Sequence, residues 1–466
     1  MIRNLKPYSE YKDSGQKWLG RVPIHWSLLP NRALFDEVKD QNHPEEEMLS
    51  VTIGRGIIKQ RELLAGTSKK DSSNTNKSKY KLVRPGELAY NKMRAWQGAL
   101  GASELRGIIS PAYIVVRPRH AVNPWYFHHL YRTPGFAKEA ERWSYGISSD
   151  MWSLRPEHFK VIGAILPPPD EQSDIVNFLG HANQKIDSFI RAKRRLIGLL
   201  NEQKQSIVQR AVTRGLDPNV KLKSSGVKWL GDIPEHWDIR RAKNVFKEID
   251  ERSKTGREEM LSVSHLTGVT PRSEKNITMF KAESNVGHKI CRPGDLAINT
   301  MWAWMAALGF SKHEGVISPA YAVYRQREPK RLVDDYGDLL LRTEPYKANY
   351  ITRSTGIRAS RLRLYPKEFF KIPIVIPPKD EQREIVDFVN NETAIPTAAI
   401  DRANREIALM QEYSARLTSD IVTGKLDVRA AAAQLPELPT PEALIAGADG
   451  LGDELGDEFD MEEVDE

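Results

Sequence analysis

The feature that most constrains this chain is that it says nearly everything twice. Residues 17–26 read KWLGRVPIHW, and residues 228–237 read KWLGDIPEHW. EEMLSV stands at 46–51 and again at 258–263. VRPGELAYNKMRAWQGALG (83–101) returns as CRPGDLAINTMWAWMAALG (291–309), and ISPAY (109–113) returns at 317–321. RPEHFKVIGAILPPPDEQ (155–172) is answered by LYPKEFFKIPIVIPPKDEQ (364–382), and TRGLD (213–217) by TGKLD (423–427). The offset stays between 208 and 212 throughout. Stacked solenoid repeats run to only ~20–50 residues, so a period this long is a whole-domain duplication. The 466-residue chain is two homologous halves, about 10–217 and 221–427, followed by a tail.

Each half has the same internal order. Arg-Pro-Gly followed by Glu or Asp suits a tight turn, because Pro presets φ and Gly accepts a positive φ. ELAYNKM, DLAINTM, SPAYIVV and SPAYAVY read as strands; PWYFHHLYRTPGFAKEAERW and LVDDYGDLLLRTEPYKANYI read as helical. Each half thus begins with a compact α+β domain. At 170–172 and 380–382, Asp-Glu-Gln after a Pro pair marks a helix start, with Asp170 and Asp380 suited to the N-cap. Beyond it, Ile190, Ile197, Leu200 and Ile207 fall on one seam, as do Ile400, Ile407, Met410 and Leu417. Their alternating spacing is that of a coiled coil. Pro396 is expected to begin or break its helix, and Gly180 to mark a comparable break. Neither helix buries its seam alone, so the two are expected to pair antiparallel as a spacer. The expected segments are 1–165 and 218–375 (globular domains), 166–217 and 376–429 (helical spacers), and 430–466.

That last segment holds 12 acidic residues and no Lys or Arg, and is expected to be a disordered tail. The rest carries 69 basic against 50 acidic residues, a net +19 that suggests a polyanionic partner, most simply nucleic acid. The single cysteine, Cys291, excludes an intramolecular disulfide and fits a reducing cytoplasm. No secretory h-region or membrane-length apolar run is present. There is no phosphate loop and no Gly-rich cofactor loop after a strand. His128 and His129 are adjacent and diverge on a helix, so no metal site is expected.

The tandem halves with PPPDEQ and PPKDEQ helix starts, the KWLG-x-x-P-x-HW openings and the MRAWQGALG…SPAY block resemble the specificity subunit of type I restriction–modification enzymes. The resemblance covers about residues 8–428. It implies a non-catalytic chain: two target recognition domains read the two parts of a split DNA sequence, and paired helices form a spacer with pseudo-two-fold symmetry. It further implies two methyltransferase subunits bringing S-adenosylmethionine, and restriction–translocase subunits bringing Mg2+ and ATP. The specificity subunit of a type II methyltransferase–nuclease system, or a self-contained DNA-modifying enzyme, remain alternatives.

Two domains that read different bases should differ where they read. Candidates therefore lie where the halves disagree. Lys69, Lys70, Asn74, Lys77 and Lys79 in the first half, and Arg272, Lys275, Lys281 and Lys289 in the second, fall in the most divergent segments. Ser148 and Arg155 stand opposite Arg358, Arg361 and Arg363. Within the repeated block, Lys92 and Arg94 face Thr300 and Trp302, whereas Trp96 and Trp304 are shared and read as core. The tryptophans of the two openings, being the same in both copies, are expected to pack rather than read.

Overall fold

In the computed structural model of the chain, residues 5–64, 76–146, 152–274, 284–356 and 362–438 are described. They form two compact units. One comprises Met1–Arg194 with Asn404–Glu466, the other Arg195–Ala403. The units therefore cut across the sequence halves: each holds one globular domain, the start of that half's long helix, and the end of the other half's long helix.

In the first unit, alternating apolar residues build a four-stranded antiparallel sheet in the order Phe35–Val38, Tyr113–Pro118, Leu88–Asn91, Leu100–Ala102. The hairpin Leu49–Thr52/Gly56–Lys59 and the pair Lys81–Val83/Gly107–Ile109 add further strands. Ser27–Pro30 pairs with Gly163–Leu166, tying the opening of the domain to its end. The stretch read as one helical segment is two helices, Pro124–Tyr131 and Pro134–Arg142. The break has a local cause. Pro134 lacks an N–H and sits in a first turn, while the Thr133 hydroxyl accepts from Phe136 N. Trp26, Tyr90, Tyr126, Phe127, Tyr131 and Phe136 are fully buried beneath this frame.

The second unit repeats the plan strand for strand. Its sheet runs Phe246–Ile249, Ala322–Gln326, Leu296–Ile298, Leu308–Phe310, all antiparallel. Leu261–Ser264/Gly268–Pro271, Lys289–Cys291/Gly315–Ile317 and Asp238–Arg241/Pro373–Ile376 reproduce the other pairs. Trp237, Tyr324, Tyr336, Tyr346 and Tyr350 fill the equivalent core. The same topology twice makes the duplication a property of the fold.

The long helices are Pro169–Arg214, 46 residues, and Lys379–Val422, 44 residues. Contrary to expectation, neither breaks: the first runs through Gly180, and the second contains Pro396. Pro396 is buried, so the absence of one backbone bond is offset by packing on the same face. Asp170 and Asp380 lie inside the first turn rather than at the cap. The seam is real but graded. Ile190 and Leu417 are buried, whereas Ile197, Leu200, Ile207, Ile400, Ile407 and Met410 are half-buried. Within the first unit, Asn183 meets Ser414 (3.1 Å) and Lys193 meets Glu406 (2.6 Å), so one helix segment advances as the other recedes. The paired segments there are antiparallel.

The tail differs from expectation too. Residues 428–438 belong to the first unit's core, with a short helix at Arg429–Ala432, Val428 and Ala432 buried, and Leu435 packed alongside. Apolar spacing within an Ala-rich stretch suffices to dock it. Residues 439–466 lie outside the described residues.

Candidate nucleic-acid interface

The repeated block builds the same loop in each unit. After the Arg-Pro-Gly turn, Glu87 and Asp295 are buried, and each is held by an arginine: Arg117 to Glu87 at 2.7 Å, Arg325 to Asp295 at 2.7 Å. The strand then ends at an asparagine whose side-chain oxygen accepts from the backbone two residues on, Asn91 from Met93 N (3.1 Å) and Asn299 from Met301 N (3.2 Å). One 3-10 turn follows, Ala95–Gln97 or Ala303–Met305. It closes on a left-handed residue, Gly98 in one unit and Ala306 in the other. The indole N–H of Trp96 donates to Met93 O and that of Trp304 to Met301 O, both at 3.0 Å. The shared tryptophans thus shape the loop, although they are half-exposed rather than core.

A second segment is pinned onto this loop. Leu154 N donates to Lys92 O (2.8 Å), and Leu364 N donates to Thr300 O (2.9 Å). Residues from two distant stretches consequently share one surface, and here the units diverge. In the first, Trp96 meets Trp152 edge-on at 5.4 Å. In the second, Trp304 stacks on Trp302 at 5.7 Å. The shared indole has a second indole beside it in both units, but from different chain positions. Around it stand half-buried Lys92 and exposed Met93, Arg94, Tyr145 and Arg155 in the first unit. The second presents Trp302, exposed Arg363 and exposed Tyr365, with the Arg363 guanidinium 3.6 Å from Met301 Sδ.

Electrostatics separate this surface from its surroundings. Elsewhere on the first domain, arginines meet carboxylates: Arg84 with Asp40, Arg106 with Glu46, Arg119 with Asp36, Arg142 with Glu139. Those acids neutralise their arginines in place. Among the described residues, Lys92, Arg94, Arg155 and Arg363 form no ion pair, so their charge is available to a polyanion.

The other candidates scatter. Lys77 is half-buried and Lys79 exposed, at the edge of the divergent segment; Arg272 is half-buried and opens a short turn, Arg272–Glu274. Lys289 is a correction. It is 8% exposed, with Asp250 at 3.8 Å, because it sits in a strand paired to Gly315–Ile317. A buried, partnered lysine does not contact DNA. Lys69, Lys70, Asn74, Ser148, Lys275, Lys281, Arg358 and Arg361 lie outside the described residues.

Two features went unnoticed in the sequence. Arg132 donates to Leu100 O (2.9 Å) and to the carbonyls of Ile53 and Gly54; Arg342 donates to Leu266 O (3.0 Å) and His265 O. Each arginine fixes a hairpin tip beside its sheet. The recurrence of Arg-Thr at 132–133 and 342–343 was the available signal. The Asp-Glu-Gln stretch also does more than start a helix. Glu171 and Glu381 hold His25 and His236 at 2.8 Å, the histidines of the two openings. Buried Gln172 accepts from Asn123 N and donates to Ala121 O and Pro167 O, and Gln382 does the same with Val333 N, Arg331 O and Pro377 O. The openings are packing elements, as expected: Trp26 and Trp237 are fully buried, and Trp18 and Trp229 pack edge-on against Phe136 and Tyr346.

Burial holds the His128 imidazole well below its usual range, so it is neutral, and its Nδ1 accepts from Ala102 N at 3.2 Å. Among the described residues, no three His, Cys, Asp or Glu side chains are grouped to hold a metal. Burial pushes the Cys291 thiol up to about 12, which makes it a poor nucleophile. No helix among the described residues is long and apolar enough to cross a membrane.

No family model matches the chain. Among solved structures, it is similar to a chain from a study of complex assembly and conformational transition in a type I restriction–modification system. The identity is 16%, covering 87% of this chain and 99% of that one, with a TM-score of 0.56. The HsdS subunit from Thermoanaerobacter tengcongensis (16% identity, 88% and 98% covered, TM-score 0.40) also matches. So does the S subunit of a type I restriction–modification system from M. genitalium (10% identity, 85% and 96% covered, TM-score 0.33). The first of these carries the comparison, and it is one of fold: over 87% of its length, this chain shares the fold of that chain.

Proposed function

We propose that the chain is the DNA sequence-recognition subunit of a type I restriction–modification complex, with one reading surface on each globular domain. The observation that carries this is the pair of equivalent loops, 91–99 and 299–307. They share their framework hydrogen bonds yet differ in the residues they display. A common scaffold with exchanged surface residues is what two readers of different half-sites require. Phosphate contacts from Lys92, Arg94 and Arg155 would position the duplex, and base-edge contacts would come from the displayed side chains. The helices would set the separation between half-sites and scaffold two methyltransferase subunits. Restriction subunits would join through these. S-adenosylmethionine, Mg2+ and ATP would act on those partners, leaving this chain to choose the sequence.

The test uses the assembled methyltransferase complex and a duplex carrying its target. Replacing Lys92, Arg94 and Arg155 together by Ala should lower affinity and flatten its salt dependence, by about 0.9 in log–log slope for each phosphate no longer neutralised. Unchanged affinity and slope would remove this surface from the interface.

A further inference from the structure

The duplication supplies an internal control, because one helix root is covered and its duplicate is exposed among the described residues. In the first unit, residues 428–438 lie along the start of the helix Pro169–Arg214. Phe178 is 1% exposed and Ala182 is 3% exposed, in one cluster with Val428 and Ala432, against which Leu435 packs. Polar contacts fix the segment's direction. Asn177 Nδ2 donates to Pro436 O at 3.2 Å, His181 Nε2 donates to the same carbonyl at 2.8 Å, and Leu438 N donates to Asn177 Oδ1 at 3.1 Å. Arg429, paired with Asp427 at 2.7 Å, lies over the Tyr8 ring.

Among the described residues, the equivalent face on the helix Lys379–Val422 has no such cover. The counterpart of Phe178 is Phe388, 40% exposed, and two turns further along stands Ile395, 81% exposed. Exposed Asp387 and Asn391 occupy the places of Asn177 and His181, and Glu392 that of Ala182. Between them they retain the polar functions seen in the covered copy: the Asn391 amide can donate to a carbonyl, and the Asp387 carboxylate can accept a backbone N–H. What changes is charge. Glu384, Asp387 and Glu392 ring Phe388, all exposed.

We infer that this face, centred on Phe388, is a docking site for a short segment of a different protein chain. The segment is a single helical turn rich in small apolar residues, bearing a cation and followed by an extended Leu-Pro-like stretch. Residues 428–438 are the template, since they are what covers the duplicate surface. The acidic rim selects the cation and disfavours nucleic acid, so the occupant is protein and more basic than the template. A second copy of this chain is the poorer occupant, because its own 428–438 segment is already engaged. The inference rests on the scaffold role proposed for the helices, which it narrows to one face and one class of segment, and it is independent of the DNA-reading loops.

The test titrates full-length chain into a labelled synthetic peptide of sequence KLDVRAAAAQLPEL, residues 425–438, followed by fluorescence anisotropy. Saturable one-to-one binding is expected, weakened at least about tenfold by Phe388→Ser in the chain or by Arg→Glu in the peptide; tenfold corresponds to about 1.4 kcal/mol. Phe388 is exposed, so the variant should unfold at the wild-type midpoint, which separates a failure of docking from a failure of folding. Absence of binding overturns the proposal. So does binding that survives Phe388→Ser, which would report exchange with the covered site on the first unit. Sedimentation of the chain alone should show no dimer; a dimer abolished by deleting 428–438 would assign the face to a second copy instead.

Discussion

At the residue scale, the duplicated positions that differ show how one framework tolerates different chemistry. His128 in the first unit is Asp338 in the second, and both accept from the backbone of the neighbouring strand, Ala102 N and Phe310 N. Burial pushes the Asp338 carboxyl up to about 6, against the lowering effect of that hydrogen bond and of Arg342. A carboxyl whose folded-state pKa is raised binds its proton more tightly folded than unfolded. It therefore costs stability as pH rises from about 4 to about 6, and the loss is complete above that window. Asp338→Asn keeps the acceptor and removes the titration. Urea unfolding across pH 4–7 should show wild type losing on the order of 2–3 kcal/mol relative to the variant over that window. A difference independent of pH would mean that the carboxyl is not perturbed. Nothing in the sequence around Asp338 announced this, because the residue's burial comes from a strand about thirty positions away.

At the scale of elements, the helix ends and domain openings form two matching joints. Each long helix stops at a glycine with positive φ, Gly215 or Gly424. Gly424 lies against Pro23 and Trp26 of the first opening, and Gly215 against Pro234 and Trp237 of the second. A Cβ at 424 would run into Pro23 Cδ and lie 2.9 Å from Trp26, whereas one at 215 would meet Glu381 Oε1 at 3.2 Å and Trp237 at 3.3 Å. Gly424→Ala combines the left-handed penalty with overpacking and should cost about 2–5 kcal/mol; Gly215→Ala carries mainly the former, about 1–2 kcal/mol. Thermal unfolding ranks the two, and the reverse order would contradict the joint geometry. Much of this level was legible. The repeated strands, the helix starts and the seam all follow from period and turn chemistry, because these are local signals. The expected breaks at Gly180 and Pro396 were misread: Gly180 keeps its N–H and costs a helix only about 1 kcal/mol, and burial of Pro396 outweighs its single missing backbone bond. The role of Glu171 and Gln172 stayed hidden because their partners lie up to 163 residues away.

At the scale of the molecule, the duplication was evident from the period alone, whereas the surfaces proposed to read DNA were only half so. Of the positions where the copies diverge, Lys92, Arg94, Arg155 and Arg363 are exposed or half-buried cations without an acidic partner among the described residues, whereas Lys289 is buried by its sheet. Composition cannot separate a lysine facing solvent from one whose strand turns it inward. The central claim is that each domain reads one element of a split target through its own displayed residues. The most direct measurement is a map of methylated adenines in cells making this chain with its methyltransferase subunit. It should be repeated after Lys92, Arg94 and Trp152 are replaced by the residues at the equivalent second-half positions, Thr300, Trp302 and Leu362. The account predicts a two-part target with an unspecified gap, of which the graft alters one part and leaves the other intact. A single undivided target, or a graft that changes both parts together, would contradict it.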